Sequence, residues 1–117
     1  MRSTRNVVEN HLQRFGERDL AGLLSDYAPD ALLFTPRGPL RGIESIRGLF
    51  GVMITEFSKP GAQFSLDHLS VDGDYAYILW NGQSADNTYE AVTDTFVVRD
   101  GKIAVQSFAA RITPRLG

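Results

Sequence analysis

Cysteine is absent from this chain of 117 residues, and histidine is scarce, with only His11 and His68. Without cysteine the protein can have no disulfide, no thiolate metal site and no cysteine nucleophile. Two histidines would need carboxylates to complete a zinc site, and no His-Glu-x-x-His spacing occurs. We therefore expect neither a metal nor another cofactor.

The sequence also lacks a long apolar run and a basic stripe. No apolar stretch approaches the roughly 20 residues that cross a bilayer, and the N-terminus lacks the apolar stretch of a signal peptide. The 12 lysines and arginines are scattered along a chain of net charge -2, so they cannot neutralise a row of phosphates. These absences predict a cytoplasmic protein that binds neither membrane nor nucleic acid.

The composition that remains is that of one folded domain. Hydrophobic residues make up 43% and charged residues 22% of the chain, which is typical of globular proteins. No linker, repeat or low-complexity tract divides the sequence. The length suits one core, so we predict a single domain over residues 1–117.

Apolar residues at helical spacing predict three helices in the first half of the chain. The first helix carries His11 on its apolar face. The second is short and starts after Asp19, a residue type that caps helices well. The third is the longest, starting at Gly42 and ending before Pro60.

Short apolar runs between turn signals predict strands elsewhere. One strand is predicted over Ala31–Thr35, followed by a turn over Pro36–Pro39. Four more follow the third helix as hairpins, over Gln63–Val71, Tyr75–Asn81, Thr88–Val98 and Lys102–Thr113. This order favours an α+β fold with helices on one face of an antiparallel sheet.

The element order and several local segments resemble the nuclear-transport-factor-2-like superfamily, which includes SnoaL-like and ketosteroid-isomerase-like proteins. The segments are Gly16–Leu20, Tyr27–Ala31, Leu40–Ile46, Thr93–Phe96 and Arg99–Ile103. The resemblance implies three helices packed on the concave face of a strongly curved, mostly antiparallel sheet, a cone-shaped α+β barrel. It implies a mostly apolar pocket but no one chemistry, because this fold hosts enzymes, accessory subunits and docking modules.

The resemblance to ketosteroid isomerases can be followed residue by residue. Asp94 stands where those enzymes keep an aspartic acid that helps to hold the oxyanion, and Tyr27 where they keep a supporting tyrosine. Three positions depart from the pattern. Thr35 replaces the catalytic carboxylate, His11 replaces the oxyanion-hole tyrosine, and Phe50 replaces another tyrosine of the network, so ketosteroid isomerisation itself is not implied.

The helical and strand periods predict that the side chains of His11 and Asp94 point toward the core. Asp94 shares a strand face with Val92 and Phe96, where desolvation raises the pKa of a carboxyl group and can keep it protonated. His11 can serve as acid, base or hydrogen-bond donor. We predict that the two are catalytic or ligand-anchoring and share a proton, with attraction favouring an aspartate-imidazolium pair. The alternative is that each is a structural residue at the edge of the core.

Two further sets of residues complete the expectations for the interior. Predicted ligand contacts, for which ordinary core packing is the alternative, are Tyr27, Thr35, Phe50, Ile78, Trp80, Val92, Gln106 and Phe108. Predicted buried residues are Leu12, Phe15, Leu24, Leu33, Ile46, Leu49, Val92, Phe96 and Phe108.

Three functions remain open. The first is an isomerase- or lyase-like enzyme that moves protons on a small apolar or aromatic substrate, with His11 and Asp94 as the acid-base pair. The second is a non-catalytic ligand-binding or accessory protein, which Thr35 at the base position favours. The third and least favoured is a protein-docking module.

Tyr75, Tyr77 and Leu79 alternate on the face opposite Ile78 and Trp80, which predicts a homodimer through the outer face of the sheet.

Overall fold

Three helices and six strands form the fold in a computed structural model that describes residues 2–116. The elements are α1 Thr4–Gly16, α2 Leu20–Leu24, β1 Tyr27–Thr35, β2 Gly38–Arg41, α3 Ile43–Phe57, β3 Gln63–Asp72, β4 Tyr75–Gln83, β5 Asn87–Arg99 and β6 Lys102–Pro114. The predicted α+β class is confirmed, and the predicted order holds except that a further strand, β2, precedes α3. Within the described residues no helix is both long and apolar enough to cross a membrane.

Local chemistry explains where the helices begin. The Ser3 side chain accepts a hydrogen bond from the backbone N–H of Asn6 and so caps α1. Asp19 does the same for Gly22, which confirms the predicted start of α2. Gly42 precedes α3 with a φ of 87°, a left-handed conformation that a side chain would strain.

The six strands form one sheet in the order β2-β1-β6-β5-β4-β3. Only β1 and β6 run parallel; every other neighbouring pair is antiparallel. Register shifts interrupt the pairs β3–β4, β4–β5 and β5–β6, and Ala91 within one shift has a φ of 48°. Such bulges bend strands, which produces the curvature that lets one sheet wrap around a core.

The region between β1 and α3 differs from the prediction. The turn expected over Pro36–Pro39 is wrong in its second half, because β2 already starts at Gly38 and pairs antiparallel with β1. Proline argues against a central strand because it has no N–H to donate. It is tolerated in β2 because β2 lies at the edge of the sheet.

The core lies between the helices and the concave face of the sheet. Helix α1 contacts β4 and β5, and α3 contacts β1 and β2. Six of the nine residues predicted to be buried are so: Phe15, Leu24, Leu33, Ile46, Val92 and Phe96. The prediction is wrong for Leu12, Leu49 and Phe108, which are only partly buried because they border a cavity.

Candidate functional site

A cavity of about 270 Å³ lies between the helices and the sheet. Of the fifteen residues that form its wall, only His11, Asp94, Gln106 and Trp80 carry polar side-chain atoms. The rest come from α1, α3 and four strands: Leu12, Phe15, Gly16, Leu33, Leu49, Phe50, Met53, Phe64, Leu66, Ile78 and Phe108. The wall is therefore apolar except for one small group of polar atoms.

The most exposed part of the cavity wall lies on β3, the edge strand opposite to β2 in the sheet. Phe64 and Leu66 line the cavity, yet they remain 41% and 50% exposed. The guanidinium of Arg18 stands 5.3 Å from the centre of the Phe64 ring and donates to the carbonyl of Phe57. These contacts hold the Phe64 ring in position at the exposed part of the wall.

Asp94 is the one carboxylate of the cavity wall, and the sheet register surrounds it with donors. Asp94 pairs with Ile78 on β4 and Phe108 on β6, so Trp80 and Gln106 are diagonal neighbours on the same face. The indole N–H of Trp80 donates to Oδ2 at 3.1 Å, and Nε2 of Gln106 donates to Oδ1 at 2.9 Å. The Tyr27 hydroxyl donates to Oε1 of Gln106 and so orients that amide.

Burial and hydrogen bonding act on Asp94 in opposite directions. Burial raises the pKa of its carboxyl group to about 6, while the bonds from Gln106 and Trp80 pull the pKa downward by less. Asp94 is therefore mainly ionised at neutral pH. The protonated form, which could donate a hydrogen bond, is the major one only below about pH 6.

His11 lies on the same wall within a cage of aromatic rings. The ring centres of Tyr27, Phe50 and Phe96 stand 5.9, 5.6 and 5.4 Å from the imidazole centre, all edge to face. Its Nδ1 is buried and has no hydrogen-bond partner. Burial lowers the pKa of His11 to about 4, although the charge of Asp26 raises it somewhat, so His11 is neutral at pH 7.

The structure thus brings His11 and Asp94 to one cavity without joining them directly. Both oxygens of Asp94 accept bonds from Trp80 and Gln106, and none comes from His11. The expected aspartate-imidazolium pair is wrong, because desolvation of the imidazole outweighs any attraction. Sharing of a proton through a ligand or a water molecule stays a prediction.

The other predicted contact residues fall into three positions. Phe50, Ile78, Trp80, Gln106 and Phe108 line the cavity. Tyr27 lies one layer behind the wall, bonded to Gln106, and Val92 is fully buried in the core.

Thr35 is away from the cavity, in contrast to the position expected for it. It lies at the end of β1, where its hydroxyl bonds to the backbone of Arg37 and Gly38 in the turn to β2. A side chain used in this way cannot occupy the position of a base inside the cone.

Several cavity residues were not among the predicted contacts. Leu12 shares the apolar face of α1 with His11, and Leu49 and Met53 share that of α3 with Phe50. Helical spacing indicated the inward face for these three, but it does not separate a cavity wall from solid core. Phe64 and Leu66 were missed with them. Among the described residues, no cluster of three or more histidine, aspartate or glutamate side chains could hold a metal.

A second buried carboxylate, Asp26, lies outside the cavity in the loop between α2 and β1. The Arg2 guanidinium donates to Oδ1 at 2.7 Å, and the Asn10 amide donates to both oxygens at 3.0 and 2.8 Å. Arg2 also donates to the carbonyl of Gly101 at 2.9 Å. This cluster ties the N-terminus and α1 to the turn between β5 and β6.

Comparisons with known proteins agree with this architecture. A family model described as the SnoaL-like domain matches residues 8–106. No curated protein matches the chain in a sequence search.

Three of the similar structures share the fold at low sequence identity. An NTF2-like protein of unknown function from Mesorhizobium loti is 24% identical, with a TM-score of 0.78 over 92% of this chain and 90% of the other. A putative polyketide cyclase from Sinorhizobium meliloti is 20% identical, with a TM-score of 0.73 over 89% and 94%. A putative ketosteroid isomerase from Kribbella flavida is 16% identical, with a TM-score of 0.76 over 97% and 82%.

Proposed function

This chain belongs to the SnoaL-like domain family of NTF2-like proteins, and from that premise we propose that its cavity binds one small apolar or aromatic molecule, with Asp94 as the polar anchor. The observation that carries the proposal is a buried, ionisable carboxylate on the wall of an otherwise apolar cavity. Pockets of this kind combine apolar walls for affinity with a few polar groups for orientation.

The size of the cavity supports a ligand of one or two rings. A protein cavity of about 150 Å³ holds a benzene molecule. The cavity here, at about 270 Å³, has room for an aromatic ring with a side chain or a second ring. The exposed part of its wall at Phe64 and Leu66 provides a way in.

Acid-base catalysis of the isomerase, cyclase or dehydratase type is the second candidate. It is favoured by Asp94, whose pKa of about 6 is close to the value of an effective general base near neutral pH. Neutral His11 could hold or relay the proton. The similar structures described as a putative cyclase and a putative isomerase are consistent with such a reaction. A purely binding role needs only the anchor, and Thr35, engaged in a turn, supplies no second base.

A probe-binding experiment tests the proposal. The uncharged dye N-phenyl-1-naphthylamine, which brightens in apolar surroundings, should bind the wild-type protein. Leu49→Trp places an indole in the cavity and should weaken binding about tenfold or more. Val52→Trp is the matched control, because Val52 lies on the same helix and is 69% exposed. Equal binding by both variants would show that the dye binds elsewhere.

The catalytic candidate requires Asp94 to act as the base, not only as an anchor. Any turnover should decline as the pH falls through about 6, because the base becomes protonated. Asp94→Asn should abolish turnover while an uncharged ligand still binds. Turnover that survives in Asp94→Asn would exclude Asp94 as the base.

We also propose that two copies pair through the outer face of the sheet. Tyr75 and Tyr77 on β4 and Phe34 on β1 are 58%, 37% and 46% exposed. The register places Phe34, Ser107, Thr95 and Tyr77 in one row across that face. Sedimentation at micromolar concentration should give twice the chain mass of 13.0 kDa, and a 13.0 kDa species would refute pairing.

A further inference from the structure

The hydrogen bonds around Asp94 are all donated toward its carboxylate. Trp80 has a single N–H, and it is used on Oδ2. Gln106 donates to Oδ1 and uses its own oxygen to accept from Tyr27. Each of these bonds leads toward the carboxylate, so Asp94 is an acceptor whose remaining lone pairs can serve a donor on the ligand.

Within residues 2–116, no lysine or arginine forms an ion pair with Asp94. None of the fifteen residues of the cavity wall is a lysine or an arginine. Two titratable groups share its surroundings, His11 on the same cavity wall and Tyr27 behind it, and the neighbouring wall residues of β4 and β6 carry no charge. Because His11 is neutral at pH 7 and burial keeps the Tyr27 phenol protonated, neither supplies a cation.

This lack of a counter-charge has an energetic consequence. A carboxylate whose pKa is raised by burial is ionised at a cost, and that cost falls when an opposite charge comes close. An anionic or enolate-like ligand would meet like charge and would require Asp94 to take up a proton first. A cationic ligand would meet opposite charge.

The rest of the wall is suited to the apolar part of such a cation. Five aromatic rings line the cavity, those of Phe15, Phe50, Phe64, Trp80 and Phe108. Aromatic faces attract ammonium groups and also pack well against hydrocarbon. We propose that the ligand is a hydrophobic amine, whose ammonium group pairs with the Asp94 carboxylate and whose ring or chain fills the aromatic part of the cavity.

This inference rests on the proposed function, since it names the ligand class of the same cavity, and one experiment separates the two. Three probes with the same apolar body differ only in the head group: 4-phenylbutylamine, 4-phenylbutanol and 4-phenylbutanoate. Trp80 is the only tryptophan, so its fluorescence reports on the site directly. Calorimetry at pH 8 gives the affinities independently.

At pH 8 we expect the amine to bind about tenfold or more tightly than the alcohol, and the carboxylate to bind most weakly. At pH 5, one unit below the pKa of Asp94, about a tenth of the carboxyl groups are ionised, so amine affinity should fall about tenfold. Alcohol affinity should hardly change. His11, with a pKa of about 4, stays mostly neutral over this range.

Variants locate the effect. Asp94→Asn should reduce the amine to the affinity of the alcohol, and retained binding of the alcohol shows that the cavity is intact. Glu90→Gln is the control, because it removes a carboxylate from an exposed position of the same strand. It should leave the preference for the amine unchanged.

The outcomes separate the two proposals. An alcohol or carboxylate bound as tightly as the amine at pH 8 overturns the amine class but leaves a ligand-binding cavity. An amine preference that persists in Asp94→Asn also overturns it. If none of the three probes binds the wild-type protein, both proposals are refuted.

Discussion

Asp26 and Asp94 are both buried aspartates, exposed by 1% and 5%, but their surroundings differ in one respect. Asp26 receives a guanidinium from Arg2 and an amide from Asn10. Asp94 receives only neutral donors, the indole of Trp80 and the amide of Gln106. One buried charge is thus paired with a cation of the protein, and the other is not.

This difference indicates the role of each carboxylate. A buried charge with a cationic partner and full hydrogen bonding is part of the scaffold, and here it ties the N-terminus and α1 to the turn before β6. A buried charge without a cation weakens the fold when ionised, and such groups concentrate at functional sites. The comparison therefore assigns Asp26 to stability and supports the proposal that Asp94 anchors a ligand.

The largest expected effect follows from breaking the paired site. Asp26→Asn leaves Arg2 without its carboxylate and should lower the free energy of unfolding by about 2–4 kcal/mol. Urea denaturation at pH 7 measures the loss. Asp30→Asn removes an exposed carboxylate nearby and should change stability by less than about 0.5 kcal/mol. Equal effects of the two substitutions would show that the Asp26 cluster is not structural.

Asp94→Asn, at the carboxylate without a cationic partner, should have the opposite effect and raise the free energy of unfolding. The pKa of Asp94 is raised from 3.8 to about 6, so its contribution to stability is complete below pH 3.8 and is lost as the pH rises through 6. Asp94→Asn removes that loss but leaves one acceptor oxygen for two donors, so either Trp80 or Gln106 loses its present hydrogen bond. We expect a net gain of about 1–2 kcal/mol at pH 7 to 8, and a clear loss there would contradict it.

The pH dependence of this variant sharpens the test. The pKa of His11 is lowered from 6.5 to about 4, so its contribution is complete above pH 6.5 and is lost as the pH falls through 4. In the wild type, His11 and Asp94 make the free energy of unfolding change with pH in opposite directions. Between about pH 4 and 6 these two changes offset each other. In Asp94→Asn only the histidine slope remains, so urea denaturation should show stability falling on acidification from pH 6.5 to 4.

The smallest expected effect concerns the titration of His11. Asp26 is the charge that raises the pKa of this histidine against the larger effect of burial. Asp26→Asn should therefore lower the pKa of His11 further, whereas Asp94→Asn should leave it near 4. NMR of the imidazole signals against pH measures both. A shift confined to Asp94→Asn would restore the direct pairing expected from the sequence and would contradict the geometry.

Much of the cavity wall could be predicted because periodicity survives in the fold. His11 follows the apolar face of α1, and Asp94 lies between Val92 and Phe96 on the inner face of β5, as the two-residue period requires. Phe96 is fully buried, so the predicted strand register is right. Periodicity and turn signals supplied the order of elements, which the structure confirms except for the additional strand β2.

Other features could not be predicted because they depend on contacts far apart in the chain. The ion pair of Asp26 joins residues 24 positions apart, and no local pattern around Ser25 to Tyr27 indicates it. A register shift between Leu66 and His68 places His68 opposite Leu79, whereas Leu66 lies opposite Trp80 and lines the cavity. A strict two-residue period would have put both on one face.

The sequence alone determined the helices and every strand except β2, the inner faces of α1, α3 and β5, and the absence of cysteine chemistry. Only the tertiary structure decided the charge states of the site. A pKa depends on the depth of burial and on which groups approach in space, and neither quantity is local in the chain. That is why the expected aspartate-imidazolium pair became an ionised Asp94 without a cation beside a neutral His11.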